Sequence, residues 1–247
     1  GESFELRIQS ECPTDAQWTD LGIVNDEHVG NVAIADEPRM FVLQPARDGY
    51  LTALTHDDEA SAVSGLTLMD AHGTVLATGS PVSVNASGVW QHEWRLDHQV
   101  VAGEAYQLAV TGITGQFDLR ICNLVTQAGE DVKVADTDGD DAFLFAASST
   151  FDVIANGVDY HFDDARSFTF QSSGQDDTIE LVESAGNDRL TGDPSQMTLS
   201  GRLPNGTFYS ARANNFLYAH GYAKSGGYDT AEFTGTALSD RAKTYPD

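Results

Sequence analysis

The sequence predicts an all-β chain in two parts, a jelly-roll-like β-sandwich followed by a short β-solenoid-like repeat domain. Three observations predict it. Helical periodicity is nearly absent, and apolar residues alternate with period two between closely spaced glycine and Asp/Asn turns. The last third of the chain also repeats itself. Asp177-Thr178-Ile179-Glu180-Leu181, followed by Ser184-Ala185 and Asp188, recurs 52 residues later as Asp229-Thr230-Ala231-Glu232-Phe233, followed by Thr236-Ala237 and Asp240. Self-similarity at a fixed spacing marks stacked structural units that bury their faces against one another.

The first part is expected over residues 1–126. Its strands read as Met40–Leu43, Gly49–Leu54, Leu66–Met69, Val75–Ala77, Tyr106–Val110 and Phe117–Ile121. Asp70-Ala71-His72-Gly73 reads as a tight hairpin turn, with Gly73 suited to positive φ. Cys12 follows one apolar strand, Phe4–Ile8, and Cys122 ends another, Phe117–Ile121. A disulfide between them is one reading and two buried thiols the other; the closed loop would contribute roughly 3–5 kcal/mol in the entropy model.

Residues 127–141 are polar, turn-rich and acidic, as expected of a linker. Residues 142–247 then carry short strands such as Ala142–Phe145 and Ser167–Phe170, separated by Gly-Asp and Gly-Asn corners. Asp141, Asp177, Asp188, Asp229 and Asp240 sit at those corners, which is the texture of a parallel β-solenoid. A second small sandwich is the alternative.

The order of strands and turns in the first part, from Phe41-Val42-Leu43 through Asp70-Ala71-His72-Gly73 and Gly103-Glu104-Ala105-Tyr106 to Gly115–Ile121, resembles the bacterial pre-peptidase C-terminal domain. That resemblance spans roughly residues 20 to 125 and implies a jelly-roll-like sandwich appended to a secreted enzyme, some members binding calcium or extracellular polymers. It implies no catalytic residue. The Asp/Gly-cornered second part is similar in texture to repeat regions of large secreted proteins of planctomycete-type bacteria.

Charge narrows the partners. The chain has 38 acidic and 13 basic residues and a net charge of −25. Nucleic acid is a poor partner for want of a Lys/Arg patch to neutralise phosphates, and anionic membranes are disfavoured by the same lack. No apolar run approaches the ~20 residues of a membrane helix. Acidity, few lysines and a disulfide would together suit a secreted, extracellular or cell-surface protein.

Closely spaced carboxylates are either solvated or bound to a hard cation. Asp136, Asp138, Asp140 and Asp141, in Asp136-Thr137-Asp138-Gly139-Asp140-Asp141, form the strongest calcium candidate, although the spacing is not that of an EF-hand loop. The corners at Gly174, Gly186 and Gly226 echo calcium-binding nonapeptide repeats without their immediate tandem. The plainer account is that corner Asp and Asn side chains cap backbone N–H groups.

Catalytic signals are weak: the chain has no Gly-x-Ser-x-Gly elbow and no phosphate-cradling glycine loop. Gly192-Asp193-Pro194 is similar to a self-cleaving bond of some secreted modules, and an ordinary turn accounts for it as well. Trp90 and Trp94, four apart on one strand face, and Tyr218 and Tyr222 near the end of the chain are candidate sugar-stacking residues. The sequence therefore predicts a non-catalytic module that binds a polysaccharide or cell-surface polymer within a larger secreted protein. A calcium-stabilised spacer or surface-layer piece is the first alternative, and a polysaccharide-degrading β-helix enzyme the second.

Overall fold

A computed structural model describes residues 17–35, 37–56, 62–82 and 93–235. The protein is all-β, and it divides into two compact units, Gly1–Leu124 and Val125–Asp247. Among the described residues no helix is long and apolar enough to cross a membrane.

Unit 1 is built from β1 (Gln17–Val24), β2 (Asp26–Ile34), β3 (Arg39–Pro45), β4 (Gly49–His56) and β5 (Val63–Asp70). It continues with β6 (Val75–Thr78), β7 (Ser80–Val82), β8 (Glu93–Val100), β9 (Tyr106–Gly112) and β10 (Gly115–Cys122). Two five-stranded sheets result, in the orders β1-β3-β9-β5-β6 and β2-β10-β4-β8-β7. Alternate residues of both sheets meet in one core, with Phe41, Leu43, Leu66, Leu68 and Leu108 from the first and Leu51, Leu96, Phe117, Leu119 and Ile121 from the second. This is the face-to-face packing of a β-sandwich. All six strands expected from alternation are present, within two or three residues at their ends.

The Asp70–Gly73 hairpin forms as expected. Asp70 Oδ1 accepts the His72 and Thr74 N–H groups, each at 2.8 Å, and Gly73 stands at φ 82°. Those N–H groups hold the Asp70 carboxyl below its ordinary pKa, the Thr74 bond foremost. Cys122 is buried, and Cys12 lies outside the described residues, as does the Phe4–Ile8 strand.

Unit 2 begins at Val125, two residues before the expected linker, and takes the linker in. β11 (Val125–Ala128) and β12 (Asp131–Val134) form an antiparallel hairpin there, because Val125, Val132 and Val134 are apolar enough to be buried. The remaining strands are β13 (Ala142–Ala147), β14 (Phe151–Ala155), β15 (Val158–Phe162), β16 (Ser167–Gln171) and β17 (Thr178–Val182). They are followed by β18 (Arg189–Asp193), β19 (Gln196–Arg202), β20 (Phe208–Asn214), β21 (Tyr218–Tyr222) and β22 (Thr230–Phe233).

The chain passes back and forth between two sheets. One runs β11-β12-β16-β20-β19-β18-β22 and the other β15-β14-β13-β17-β21. Within them β12, β16 and β20 form one parallel ladder and β13, β17 and β21 another. Successive passes thus stack in register, while the hairpins β14–β15 and β18–β19 interrupt the coil and widen each sheet. The architecture combines features of the two expected alternatives: parallel rungs, as in a solenoid, within two facing sheets, as in a sandwich.

Aromatic residues fill the space between the sheets. The Phe145 and Phe168 ring centroids lie 4.8 Å apart, Phe151 and Phe168 5.1 Å, and Phe145 and Tyr209 5.8 Å. Tilted pairs at these separations are favourable beyond their buried area.

Candidate cation corners

Two of the crossings between the sheets are built to the same plan. The first leads from β12 to β13 through Asp136-Thr137-Asp138-Gly139-Asp140-Asp141, and the second from β17 to β18 through Glu183-Ser184-Ala185-Gly186-Asn187-Asp188. Both read acid, hydroxyl, any residue, glycine, any residue, aspartate. The hydroxyl turns the chain inward: Gly139 N–H donates to Thr137 Oγ1 at 3.1 Å, and Gly186 N–H to Ser184 Oγ at 3.0 Å. The terminal aspartate then closes the loop. Asp141 Oδ2 accepts Thr137 N–H at 2.7 Å, and Asp188 Oδ2 accepts Ser184 N–H at 3.1 Å.

Each corner is tied to the next rung by an aspartate from that rung. Asp177 Oδ1 accepts Asp141 N–H at 2.8 Å, and Asp229 Oδ1 accepts Asp188 N–H at 2.9 Å. The carbonyls of Asp141 and Asp188 in turn accept Thr178 and Thr230 N–H. The leading acid of each corner reaches the same place: Asp136 accepts Ser173 N–H, and Glu183 Oε1 accepts Ser225 N–H at 3.1 Å. Even the penultimate residues correspond, with Asp140 accepting Asp176 N–H and Asn187 accepting Tyr228 N–H. Two further donors complete each aspartate: the corner hydroxyl, Thr137 to Asp141 and Ser184 to Asp188, and a more distant side chain, Asn156 Nδ2 to Asp141 Oδ1 at 2.5 Å and Tyr209 Oη to Asp188 Oδ1 at 2.8 Å.

The result is two groups of three carboxylates, Asp136/Asp141/Asp177 and Glu183/Asp188/Asp229, each offering ligand oxygens that lie within 4.8 Å of one another. Asp141, Asp177, Glu183 and Asp188 are buried. Two like charges at that distance repel by about 3 kcal/mol or more at an effective dielectric constant of about 20. The second group shows the strain. Burial, with Asp229 and Asp188 alongside, pushes the Glu183 carboxyl up to about 6 against the opposing Ser225 bond. Burial and the Asp188 hydrogen bond also push the Tyr209 hydroxyl well above its ordinary value.

Glycine makes the second corner compact. Gly227, at φ 108°, lies so close to the Gly186 carbonyl that a β-carbon would collide with it, and Gly201 leaves the equivalent space for the Asp188 carboxylate.

The expected metal ligands are thus partly gathered. Asp136 and Asp141 converge, whereas Asp138 and Asp140 are exposed and outside the group. Alternation along a turn does not hold here, because Thr137 and Gly139 curl the loop so that its first and last residues meet. Asp177 supplies the third carboxylate; at the second group the corners of Asp188 and Asp229 had echoed calcium-binding repeats, but Glu183 was not anticipated and the three were not joined as one ligand set. The shared acid-hydroxyl-x-Gly-x-Asp spacing was the available signal.

The candidate sugar-stacking residues fall apart differently. Trp90 lies outside the described residues. Trp94 is half-buried against the unit 1 core, and its indole N–H donates to the Val63 carbonyl at 3.1 Å. Tyr218 and Tyr222 share the outward face of β21, where Tyr218 is 51% exposed. At Gly192-Asp193-Pro194 the chain makes a turn between β18 and β19, and Asp193 Oδ1 accepts both the N–H and the hydroxyl of Ser195.

No family model matches the sequence, and no curated protein matches it. Among solved structures the chain is similar to the pre-peptidase C-terminal domain of a collagenase from Bacillus anthracis. The identity is 10% and the TM-score 0.30, over 43% of this chain and 94% of that one. It is also similar to a β-glucosidase from Paenibacillus barengoltzii, at 19% identity and TM-score 0.24, over 46% of this chain and 12% of that one. Neither likeness bears on fold or activity at these scores. None supports the planctomycete-type repeat likeness of the second part.

Proposed function

We propose that the protein is a non-catalytic, extracellular structural module whose second unit is stapled at two corners by divalent cations, calcium being the best chemical fit. One observation carries this reading: the same three-carboxylate constellation occurs twice. Among the described residues no Lys, Arg or His forms an ion pair with any of the six acids. Hard oxygen donors converging from two successive rungs suit calcium, which takes carboxylates together with carbonyls and water in irregular geometry. A cation there would bind folded corners and not the unfolded chain, and so would add stability by mass action. The acids are otherwise engaged by backbone N–H groups at two separate corners, which supports a scaffold over a catalytic cleft.

Differential scanning calorimetry in EDTA and in millimolar calcium tests this. A rise of the unit 2 midpoint with calcium is expected, and identical melting curves in both buffers would end the proposal. Titration calorimetry should give two calcium ions per chain, and the Asp177→Asn and Asp229→Asn variants should each lose one.

A second reading, binding of a polysaccharide, is favoured by the outward placement of Tyr218 and Tyr222 on β21. Pull-down on insoluble polysaccharides tests it, and failure to bind any of them sets it aside.

A further inference from the structure

Among the described residues β21 is the edge strand of its sheet, paired on one side only, with β17. Its inward residues are small, Ala219 and Gly221, and a β-carbon at Gly221 would strike the Leu190 side chain. Its outward residues are Tyr218, His220 and Tyr222, three rings in one row at the ~7 Å repeat of alternate strand positions. The His220 and Tyr222 ring planes are inclined by only 23°, with centroids 6.4 Å apart. Tyr222 is held in place, because its hydroxyl donates to Glu180 Oε1 at 3.3 Å and the Lys224 ammonium lies 4.4 Å from its ring centroid. Fixing a ring before binding removes part of the ordering cost of a complex.

Beside this row Thr178, Glu180 and Val182 face outward on β17, and Ala142, Leu144 and Ala146 on β13. The edge therefore presents an aromatic row flanked by small and apolar side chains around the single carboxylate of Glu180. On β17 and β21 the strip carries one negative charge, Glu180, and the positive charge of Lys224 lies two residues past the end of β21, over the Tyr222 ring. The strip is close to neutral within a chain of net charge −25, which repels anionic polymers.

We propose that the outward face of β21, from Tyr218 to Lys224, binds a neutral polysaccharide lying along the strand, with its sugar rings on the aromatic row. This rests on the carbohydrate reading above and narrows it to a place and a charge class. The apolar faces of successive pyranoses would contact Tyr218 and Tyr222, and Glu180, His220 and Lys224 would meet their hydroxyls. An uncharged polymer leaves the Glu180–Lys224 balance undisturbed.

Affinity electrophoresis of the full chain in gels containing hydroxyethylcellulose, xyloglucan, mannan or alginate tests it. Retardation by at least one of the three neutral polymers and none by alginate is expected. The Tyr218→Ala/Tyr222→Ala variant should bind that polymer about tenfold more weakly or worse, at unchanged melting midpoint. Tyr222→Phe keeps the ring and should retain most of the binding. Retardation by alginate alone would overturn the neutral assignment while the broader carbohydrate reading survived. Undiminished binding by the double variant would overturn the site alone, and no retardation in any gel would overturn both.

Discussion

The two units bury strands of the same alternating kind and differ in where they put charge. Among the described residues of unit 1, the buried polar side chains are Thr52, Thr55, Gln107 and Asn123, all uncharged at neutral pH. Unit 2 buries Asp141, Asp177, Glu183 and Asp188. The contrast follows from how the strands stack. Unit 1 also crosses between its sheets at most connections, but its neighbouring strands are antiparallel apart from β1 and β3, and in its β5–β6 hairpin the single carboxylate of Asp70 serves the turn. Parallel rungs of unit 2 must cross from sheet to sheet, and each crossing leaves N–H groups that an adjacent rung has to satisfy. Carboxylates from the next rung do so, and they are drawn inside with the stack. Unit 1 is therefore expected to be indifferent to pH and divalent ions in ways that unit 2 is not.

The largest expected effect asks whether the units are separate at all. Phe145→Ala removes a ring that touches Phe151, Phe168 and Tyr209 between the sheets of unit 2, and should cost about 3–5 kcal/mol. Hydrogen exchange should show protection lost from β12 to β21 and kept from β3 to β10. Loss in both would mean that the chain unfolds as one block, and the contrast between units would lose its thermodynamic meaning.

Asp188→Ala comes next. It strips partners from Ser184 N–H, the Ser184 hydroxyl and the Tyr209 hydroxyl, and should cost about 2–4 kcal/mol by denaturant unfolding. Asp188→Asn keeps an acceptor oxygen and removes the charge. If cation binding stabilises the corner, Asn should abolish the calcium response there while costing less in EDTA. An Asn variant that still responds fully to calcium would confine Asp188 to hydrogen bonding.

The third effect is a pH dependence confined to unit 2. Glu183 titrates at about 6 in the fold against an ordinary 4.5, so the folded state holds its proton over that interval and the unfolded state does not. In EDTA the stability should therefore be intact below about pH 4.5 and fall as pH rises through 6, by about 2 kcal/mol from this group. Glu183→Gln should flatten that slope. Calcium should flatten it too, because a cation favours the ionised carboxylate. A slope that survives Glu183→Gln would assign it to another acid.

What the sequence disclosed follows the same division. In unit 1, β3, β5 and β10 were legible because buried and more exposed residues alternate along them, as in the buried Leu66 and Leu68 of β5 around Thr67, whereas β6, exposed almost throughout, was marked by the Asp70–Gly73 turn before it. β1 and β2 were not legible, since among the described residues each is the outer strand of its sheet and exposes residues on both faces, so alternation is faint. β11 and β12 were hidden by the acidity of the turns around them. The corners were recognised as corners, with Asp141, Asp177, Asp188 and Asp229 all named, but their pairing was not. The bonded partners lie 36 and 41 residues apart. Those distances are set by hairpins inserted between rungs, β14–β15 in one case and β18–β19 in the other, and no fixed period survives such insertions. The 52-residue repeat between Asp177 and Asp229 was real as chemistry, since both aspartates receive the preceding corner's N–H. It was not the spacing of neighbouring rungs.

The smallest effect belongs to unit 1 and tests its indifference. Gly73 holds φ 82° in the hairpin between β5 and β6, with open space where a β-carbon would stand. Gly73→Ala should therefore cost only the backbone penalty, about 1–2 kcal/mol, with no steric addition. Because Asp70 is held ionised by the His72 and Thr74 N–H groups, this loss should be the same at pH 5 and pH 7, and the same with and without calcium. The unfolding midpoint of unit 1 in urea, read by tyrosine and tryptophan fluorescence at both pH values, measures it. A calcium-dependent change there would place a cation in the unit that buries no carboxylate, and topology would no longer account for where the charge goes.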